Sequence, residues 1–191
     1  NVLPPQIRLS PGSELQCTSC HDAHNDSFGK FLVMRNDNSD LCKSCHQMGQ
    51  TTVTAHSNCN ACHQPHTAPS GPYLLKRSTI SQTCLSCHDG SVVGATNIAT
   101  DLKKPSIHDT DSPVDPPPPL SSHVSCADCH EPHSMGRGSA PPPGLHPNFG
   151  RISGTSGSGS QLTIATSEFE VCLKCHADTS QHKPLVTRVF Q

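Results

Sequence analysis

The stretch Cys59-Asn60-Ala61-Cys62-His63-Gln64-Pro65-His66 decides how this chain folds. It contains two cysteines three positions apart, followed directly by a histidine. The same Cys-x-x-Cys-His pattern occurs six times and uses all 12 cysteines of the 191-residue chain. The cysteine pairs are Cys17 and Cys20, Cys42 and Cys45, Cys59 and Cys62, Cys84 and Cys87, Cys126 and Cys129, and Cys172 and Cys175. The histidines that follow them are His21, His46, His63, His88, His130 and His176.

This pattern is the attachment signature for c-type haem. Two thiols at this spacing lie on one side of a helical turn, where each can form a thioether to a porphyrin vinyl group. The adjacent imidazole then reaches the iron from one face as the proximal ligand. A zinc site or a disulfide framework would explain the cysteines, but neither requires a histidine after every second one. The sequence therefore predicts six covalently bound haem c groups, each with its iron.

The composition leaves little material for an apolar core. Hydrophobic residues make up 32% of the chain and aromatic residues 3%, whereas globular domains are usually ~45–50% apolar. We therefore expect a multihaem cytochrome c fold, mostly irregular coil with short helices at the motifs and the haems forming the core. Local patterns predict helix N-caps at Ser39 and Ser81, a capping box from Ser167 to Glu170, and a flexible Gly/Ser-rich loop over residues 150–160.

The six motifs are grouped in pairs along a single predicted domain that spans residues 1–191. The three two-haem units are unit one (residues 17–46), unit two (residues 56–88) and unit three (residues 123–176). The predicted linkers or insertions cover residues 98–120 and 137–166. Units one and two each carry a small apolar patch between their two motifs, at residues 31–33 and 73–75.

The other eight histidines supply candidates for the second axial position of each iron. Three of them follow a proximal histidine by three residues, and two precede a motif by three residues. A histidine so close to the proximal ligand cannot pass round the macrocycle, so we expect it to bind the iron of a neighbouring haem. The predicted distal ligands are His24, His56, His66, His123, His133 and His182, with His108 or His146 as a substitute for one of them.

Bis-histidine ligation closes both axial positions of an iron. Such an iron exchanges electrons but cannot bind a small substrate, so no catalytic residue and no enzymatic activity are predicted. A multihaem reductase would instead keep one haem with an open face.

The chain resembles the doubled Cys-x-x-Cys-His class of multihaem c-type cytochromes. The resemblance rests on the 59–66 stretch with Leu74-Leu75 and the motif at Cys84, on the parallel unit that starts at Cys17, and on the opening of the pattern at Cys126. It implies electron carriage across the periplasm or the outer surface of microbes that respire metals. Some relatives with few residues per haem polymerise into extracellular cytochrome filaments, or nanowires.

The predicted function is electron transfer through six bis-histidine haems, as the repeating subunit of an extracellular conductive filament. The alternatives are a soluble, monomeric periplasmic electron shuttle and a reductase with one open haem. The predicted partners are further copies of the chain, joined head to tail with His182 donated in trans, and other redox proteins or extracellular electron acceptors.

Charge and hydropathy bear on the remaining partners and on the location. The chain has a formal charge of −2, and the haem propionates would make the holoprotein strongly acidic, which disfavours a nucleic-acid partner. No apolar run approaches the ~20 residues of a transmembrane helix. The first residues are interpreted as a mature terminus left after export, so we expect an extracellular or cell-surface protein, alternatively a periplasmic one.

Overall fold

The computed structural model describes residues 3–48, 51, 53–69, 73–110 and 124–177, and the fold is given for these residues. Short helices separated by coil make up almost all of its regular structure. The helices are α1 (Cys17–Cys20), α2 (Asp40–Lys43), α3 (Thr54–Ser57), α4 (Cys59–Cys62), α5 (Ile80–His88), α6 (Cys126–Cys129) and α7 (Glu168–His176). Two 3-10 turns lie at Asp101–Lys103 and Pro147–Phe149, and strands β1 (Gly154–Thr155) and β2 (Gln161–Leu162) form one antiparallel hairpin. The expectation of coil with short helices at the motifs is confirmed.

The first and second motifs of a unit lie differently on their helices. The first motifs form the single-turn helices α1, α4 and α6, which consist only of the Cys-x-x-Cys residues. The second motifs of units two and three occupy the C-terminal ends of the nine-residue helices α5 and α7. The second motif of unit one begins within α2, whose last residue is Lys43.

The predicted helix starts are correct at two of three positions. Ser39 is the N-cap of α2, and the capping box from Ser167 to Glu170 opens α7. The cap predicted at Ser81 is wrong, because Ser81 is buried inside α5 and the N-cap is Thr79. The Thr79 hydroxyl accepts the backbone N–H of Gln82 at 3.1 Å. Thr79, two residues before Ser81, therefore caps the helix.

The buried apolar interior of the described residues is very small. Its buried hydrophobic side chains are Ile7, Ile152, Ala165 and Val171, and its largest fully buried side chains are Ser19, Ser39 and Ser81. Large apolar side chains such as Leu15 and Tyr73 are mostly exposed to solvent in the polypeptide alone. This agrees with the low hydrophobic content, while a core made of haems stays a prediction.

Part of the segment predicted to be a flexible loop forms strand β1 instead, and this strand packs against α7. Residues 154 and 155 pair with residues 162 and 161 in the hairpin, and the Ala165 N–H donates to the Ile152 carbonyl at 2.7 Å. Glycine is needed at position 154, because a Cβ there would lie 2.9 Å from the Ala165 Cβ and 3.1 Å from the Glu170 carbonyl oxygen. A Gly/Ser-rich composition is typical of flexible loops, but small residues such as glycine also allow the backbone to pack closely.

Across the described part of the chain, no helix combines the length and apolar character that a membrane crossing requires.

Candidate haem-attachment sites

Each first motif closes into the same helical turn. The backbone N–H of the histidine donates to the carbonyl of the first cysteine of its motif at 2.9 Å for His21, His63 and His130. In the second motif of unit one, His46 makes the equivalent bond to Cys42 at 3.0 Å. This bond brings both cysteines and the histidine of a motif into one turn, which is the arrangement that two thioether bonds and one axial ligand require.

Four of the proximal imidazoles are fixed by a hydrogen bond from Nδ1 to a backbone carbonyl. The acceptors are Lys30 for His21 at 2.9 Å, Tyr73 for His63 at 2.7 Å, Thr96 for His88 at 2.8 Å and Asn148 for His130 at 2.9 Å. A carbonyl can only accept, so Nδ1 carries the proton and Nε2 keeps a free lone pair. This is the tautomer and the type of anchoring found for histidines that bind metals through Nε2.

The chain segment that supplies this carbonyl returns to the motif in all three predicted units. The backbone N–H of the residue after the histidine donates to Phe31 in unit one and to Leu74 in unit two, both at 2.7 Å, and to Phe149 in unit three at 2.8 Å. The predicted apolar patches of units one and two therefore pair with their own motifs. In unit three, the insertion makes this segment longer, but the segment still ends in the same backbone contact with its motif.

Four pairs of imidazole rings lie close together among the described residues, one pair stacked and the other three tilted or edge-on. The ring centroids are separated by 5.7 Å for His21 and His66, 6.1 Å for His88 and His56, 6.1 Å for His63 and His133, and 6.0 Å for His176 and His108. Every pair joins one histidine of a Cys-x-x-Cys-His motif to one histidine from the predicted distal set or its substitutes.

This spacing fits two axial ligands on one iron. A metal–imidazole bond is about 2 Å long and the ring centre lies about 1 Å behind the nitrogen, so two imidazoles on opposite sides of an iron have centroids about 6 Å apart. Ordinary aromatic contacts cover 4.5–7 Å, so distance alone would not single out haem. Ordinary aromatic contacts do not explain, however, why every pair joins a motif histidine to a histidine outside the motifs.

The pairs also have a direction along the chain. His66 of unit two faces His21 of unit one, and His133 of unit three faces His63 of unit two. A histidine that follows a first motif thus reaches back by one unit. His56 instead faces His88 of its own unit.

Two proximal and four other histidines remain outside these pairs. Among the described residues, no imidazole faces His46, His130, His24 or His146, and the predictions for His123 and His182 lie outside the described residues. His146 has a different role, because its Nδ1 accepts the backbone N–H of Asn148 at 3.2 Å and so caps the 3-10 turn. An accepting Nδ1 leaves the proton on Nε2, which favours a structural role over ligation.

The thiols of consecutive motifs lie close together. The Cys84 thiol hydrogen-bonds Cys126, which lowers the pKa of Cys126 to about 6 and raises the pKa of Cys84. Burial raises the pKa of the Cys42 thiol, and the neighbouring Cys59 thiol raises it further. In units one and two, the first cysteine of the second motif therefore lies beside the first cysteine of the next unit.

Within each unit, the second cysteine of the first motif lies near a thiol of the second motif. Burial raises the pKa of the thiols of Cys20, Cys62 and Cys129, and a thiol of the following motif adds to each shift. Those following thiols belong to Cys45 for Cys20, to Cys87 for Cys62, and to both Cys172 and Cys175 for Cys129. The six attachment motifs thus follow one another in space in the order of the sequence.

The same residues do not gather around a bare metal ion. Within the described ranges, no group of three or more histidine, cysteine, aspartate or glutamate side chains is arranged to hold one. Structural zinc sites use four such ligands.

Sequence comparison agrees with the motif analysis over units one and two. Residues 10–51 and 52–92 each match the family model described as the doubled CXXCH motif, which together is less than half of the chain. The doubled motif is typical of multihaem c-type cytochromes, so covalently bound c-type haem and haem-based electron transfer are supported. Such cytochromes are typically exported. No curated protein and no solved structure matches the chain.

Proposed function

We propose that this protein carries electrons through six covalently attached haems, each held between two histidines. The observation that carries the proposal is the set of four imidazole pairs with centroids 5.7–6.1 Å apart. When bound, each haem supplies a one-electron iron couple. The chain attaches the haem through two cysteines and orients it with a proximal imidazole, whose Nδ1 is anchored at His21, His63, His88 and His130.

The paired histidines favour electron transfer over catalysis. Two imidazoles at one iron leave no position for a substrate. An anchored Nδ1 also keeps its own ring from turning, which limits structural change when the charge of the iron changes. No side chain of the chain is assigned a bond-making role.

The order of the motifs supports a row of redox sites rather than a cluster. Interactions between thiols link each motif to the next one along the chain. Electrons can therefore enter at one end of the row and leave at the other.

The direction of the histidine pairs supports assembly of copies into a filament. His66 and His133 each pair with a proximal histidine of the preceding unit. His24 has the same position in unit one, so its partner would belong to a unit that precedes unit one. Conversely, His130 needs a histidine from a unit behind unit three. Copies joined head to tail supply both the partner of His24 and the partner of His130. Repetition of this contact gives an extracellular filament in which the row of haems is continuous. His182, the donor predicted from the sequence, remains a candidate for His46.

Intact mass spectrometry tests the cofactor content. The holoprotein is expected to carry six haem additions and no thiol that reacts with an alkylating reagent. Fewer additions, with free thiols at one motif, would contradict six-haem attachment.

Electron microscopy of the natively purified protein tests the assembly. We expect continuous filaments, and we expect His24→Ala to give short particles that keep six haems and bind carbon monoxide at one haem per chain. His146→Ala is the matched control, because it removes an imidazole assigned to a turn and should leave filaments intact. Uniform monomers of the unmodified protein would contradict the filament and favour the periplasmic shuttle.

A reductase is the second candidate, since no imidazole faces His46 or His130 among the described residues. An iron left open in the fully assembled protein would bind a substrate there. The spin state of the iron in the assembled protein separates the two functions, because an open haem is high-spin and a bis-histidine haem is low-spin.

A further inference from the structure

The Glu131 carboxylate is hydrogen-bonded to the ring of His133. Its Oε1 accepts the Nδ1–H of His133 at 2.9 Å and the backbone N–H of the same residue at 3.1 Å. Both side chains are 38% exposed, so solvent weakens the interaction without separating the groups. In the sequence, the one signal for Glu131 is its place between His130 and His133.

The backbone of Glu131 is fixed on both sides. Its N–H donates to the Phe149 carbonyl at 2.8 Å, and its carbonyl accepts the Ser134 N–H at 3.1 Å. Gly150 packs so closely that a Cβ there would lie 2.5 Å from the Glu131 carbonyl oxygen. Because the main chain cannot move away, the carboxylate is held within reach of the imidazole.

The equivalent positions of the other units make no such contact. In unit two, the Gln64 side chain donates to the Thr67 hydroxyl. In unit one, Asp22 accepts the backbone N–H of His24 at 3.0 Å, and no bond from its carboxylate to the His24 ring is found among the described residues. Glu131 therefore adds a contact that the repeat does not require.

The acceptors at Nδ1 differ among the paired histidines. Backbone carbonyls accept from three of the proximal partners, His21, His63 and His88. His56 lies with its Nδ1 3.1 Å from the thioether sulfur of Met135, a weak acceptor. A carboxylate is the strongest of these acceptors because its bond to an N–H is charge-assisted.

We propose that Glu131 is a positioning residue that lowers the reduction potential of the haem attached at Cys59 and Cys62, acting through His133. The inference rests on the proposed function, in which His63 and His133 are the two ligands of that iron. Donation of the Nδ1–H to a carboxylate increases the electron density on the ring and makes Nε2 a stronger ligand. A stronger ligand favours ferric over ferrous iron, so this haem is harder to reduce.

The test is a spectroelectrochemical titration of the holoprotein with Glu131→Gln, which keeps the shape of the side chain and removes its charge. We expect one haem of six to become easier to reduce, by about tenfold in its reduced-to-oxidised ratio at a fixed potential. For a one-electron couple this is about 59 mV. Asp22→Asn is the matched control, since it removes the charge of the equivalent residue, and its effect should be clearly smaller.

Two further variants show whether the effect passes through the ligand. Gln64→Glu should place a carboxylate beside His66 and lower the potential of the haem attached at Cys17 and Cys20. In a His133→Ala background, the effect of Glu131→Gln should disappear.

Equal shifts from Glu131→Gln and Asp22→Asn would overturn the inference, because they would indicate only distant charge. A shift that persists without His133 would overturn it too. If Glu131→Gln keeps six low-spin haems but moves no potential, this inference fails and the proposed function stands. A five-coordinate haem at Cys59 and Cys62 in the unmodified protein would overturn both.

Discussion

His108 lies between units two and three, with its ring 6.0 Å from that of His176. By analogy with His56, which precedes its motif and faces His88, the expected partner of His176 is His123. In the structure, His108 lies beside His176 instead. His123 and His182 are then the candidates left in this chain for the second ligand of the haem at His46.

Replacing His108 should open one iron. His108→Ala is expected to keep six covalent haems and convert one of them from low-spin to high-spin iron, because an axial ligand is lost while the thioethers remain. Resonance Raman spin-state bands of the ferric protein measure this fraction. His146→Ala should leave all haems low-spin. A fully low-spin His108→Ala protein would show that another histidine serves this haem.

At the scale of elements, α7 and the hairpin beside it position the last haem motif. Ile152, Ala165 and Val171 form the buried cluster between them, with Cys129 and Phe149 packed against it. This cluster joins the two motifs of unit three, because Cys129 belongs to the first and α7 carries the second. The insertion that separates the two motifs in sequence therefore also holds them together.

Gly154→Ala tests this packing. The added Cβ meets Ala165 and the backbone of Glu170, so we expect a loss of about 1–3 kcal/mol in the free energy of unfolding. Gly157→Ala is the matched control in the same loop, because no atom lies within 4 Å of a Cβ built there. The denaturation midpoint, followed by circular dichroism, measures both. Equal midpoints for the two variants would contradict tight packing at Gly154.

Local chemistry made some of these elements predictable and left others hidden. The capping box at Ser167 and the turn around each motif depend on neighbours in sequence, so their patterns are visible there. Ser81 was misassigned because Thr79 offers the same hydroxyl at a better position. The hairpin is not predictable from the sequence, because a Gly/Ser-rich composition indicates only that the backbone is free to adopt many conformations. It does not indicate which other segment packs against that backbone. The partner of His108 depends on distant segments, which no local pattern encodes.

At the scale of the whole molecule, the described residues bury little apolar surface, so we expect the polypeptide not to fold without its haems. The described residues bury four hydrophobic side chains, and several large ones such as Val93 and Tyr73 are exposed. Covalently attached macrocycles could cover such side chains and supply the missing contact area. Folding and haem attachment should then be coupled.

Removal of the haems should therefore unfold the chain. Chemical cleavage of the thioether bonds, followed by extraction of the haems, is expected to give an expanded protein that has lost its helical signal. Small-angle X-ray scattering and circular dichroism measure the two effects, with the untreated holoprotein as the control. A haem-free chain that stays compact and helical would contradict a core made of haems.

Near-infrared magnetic circular dichroism of the assembled ferric protein tests the central claim, six bis-histidine haems, most directly. The charge-transfer band of low-spin iron reports the ligand pair, and its intensity per chain reports how many haems carry that pair. The account predicts a single bis-histidine band with an intensity equivalent to six haems. A high-spin band, or bis-histidine intensity for five haems or fewer, would contradict closed coordination and favour a reductase with an open iron.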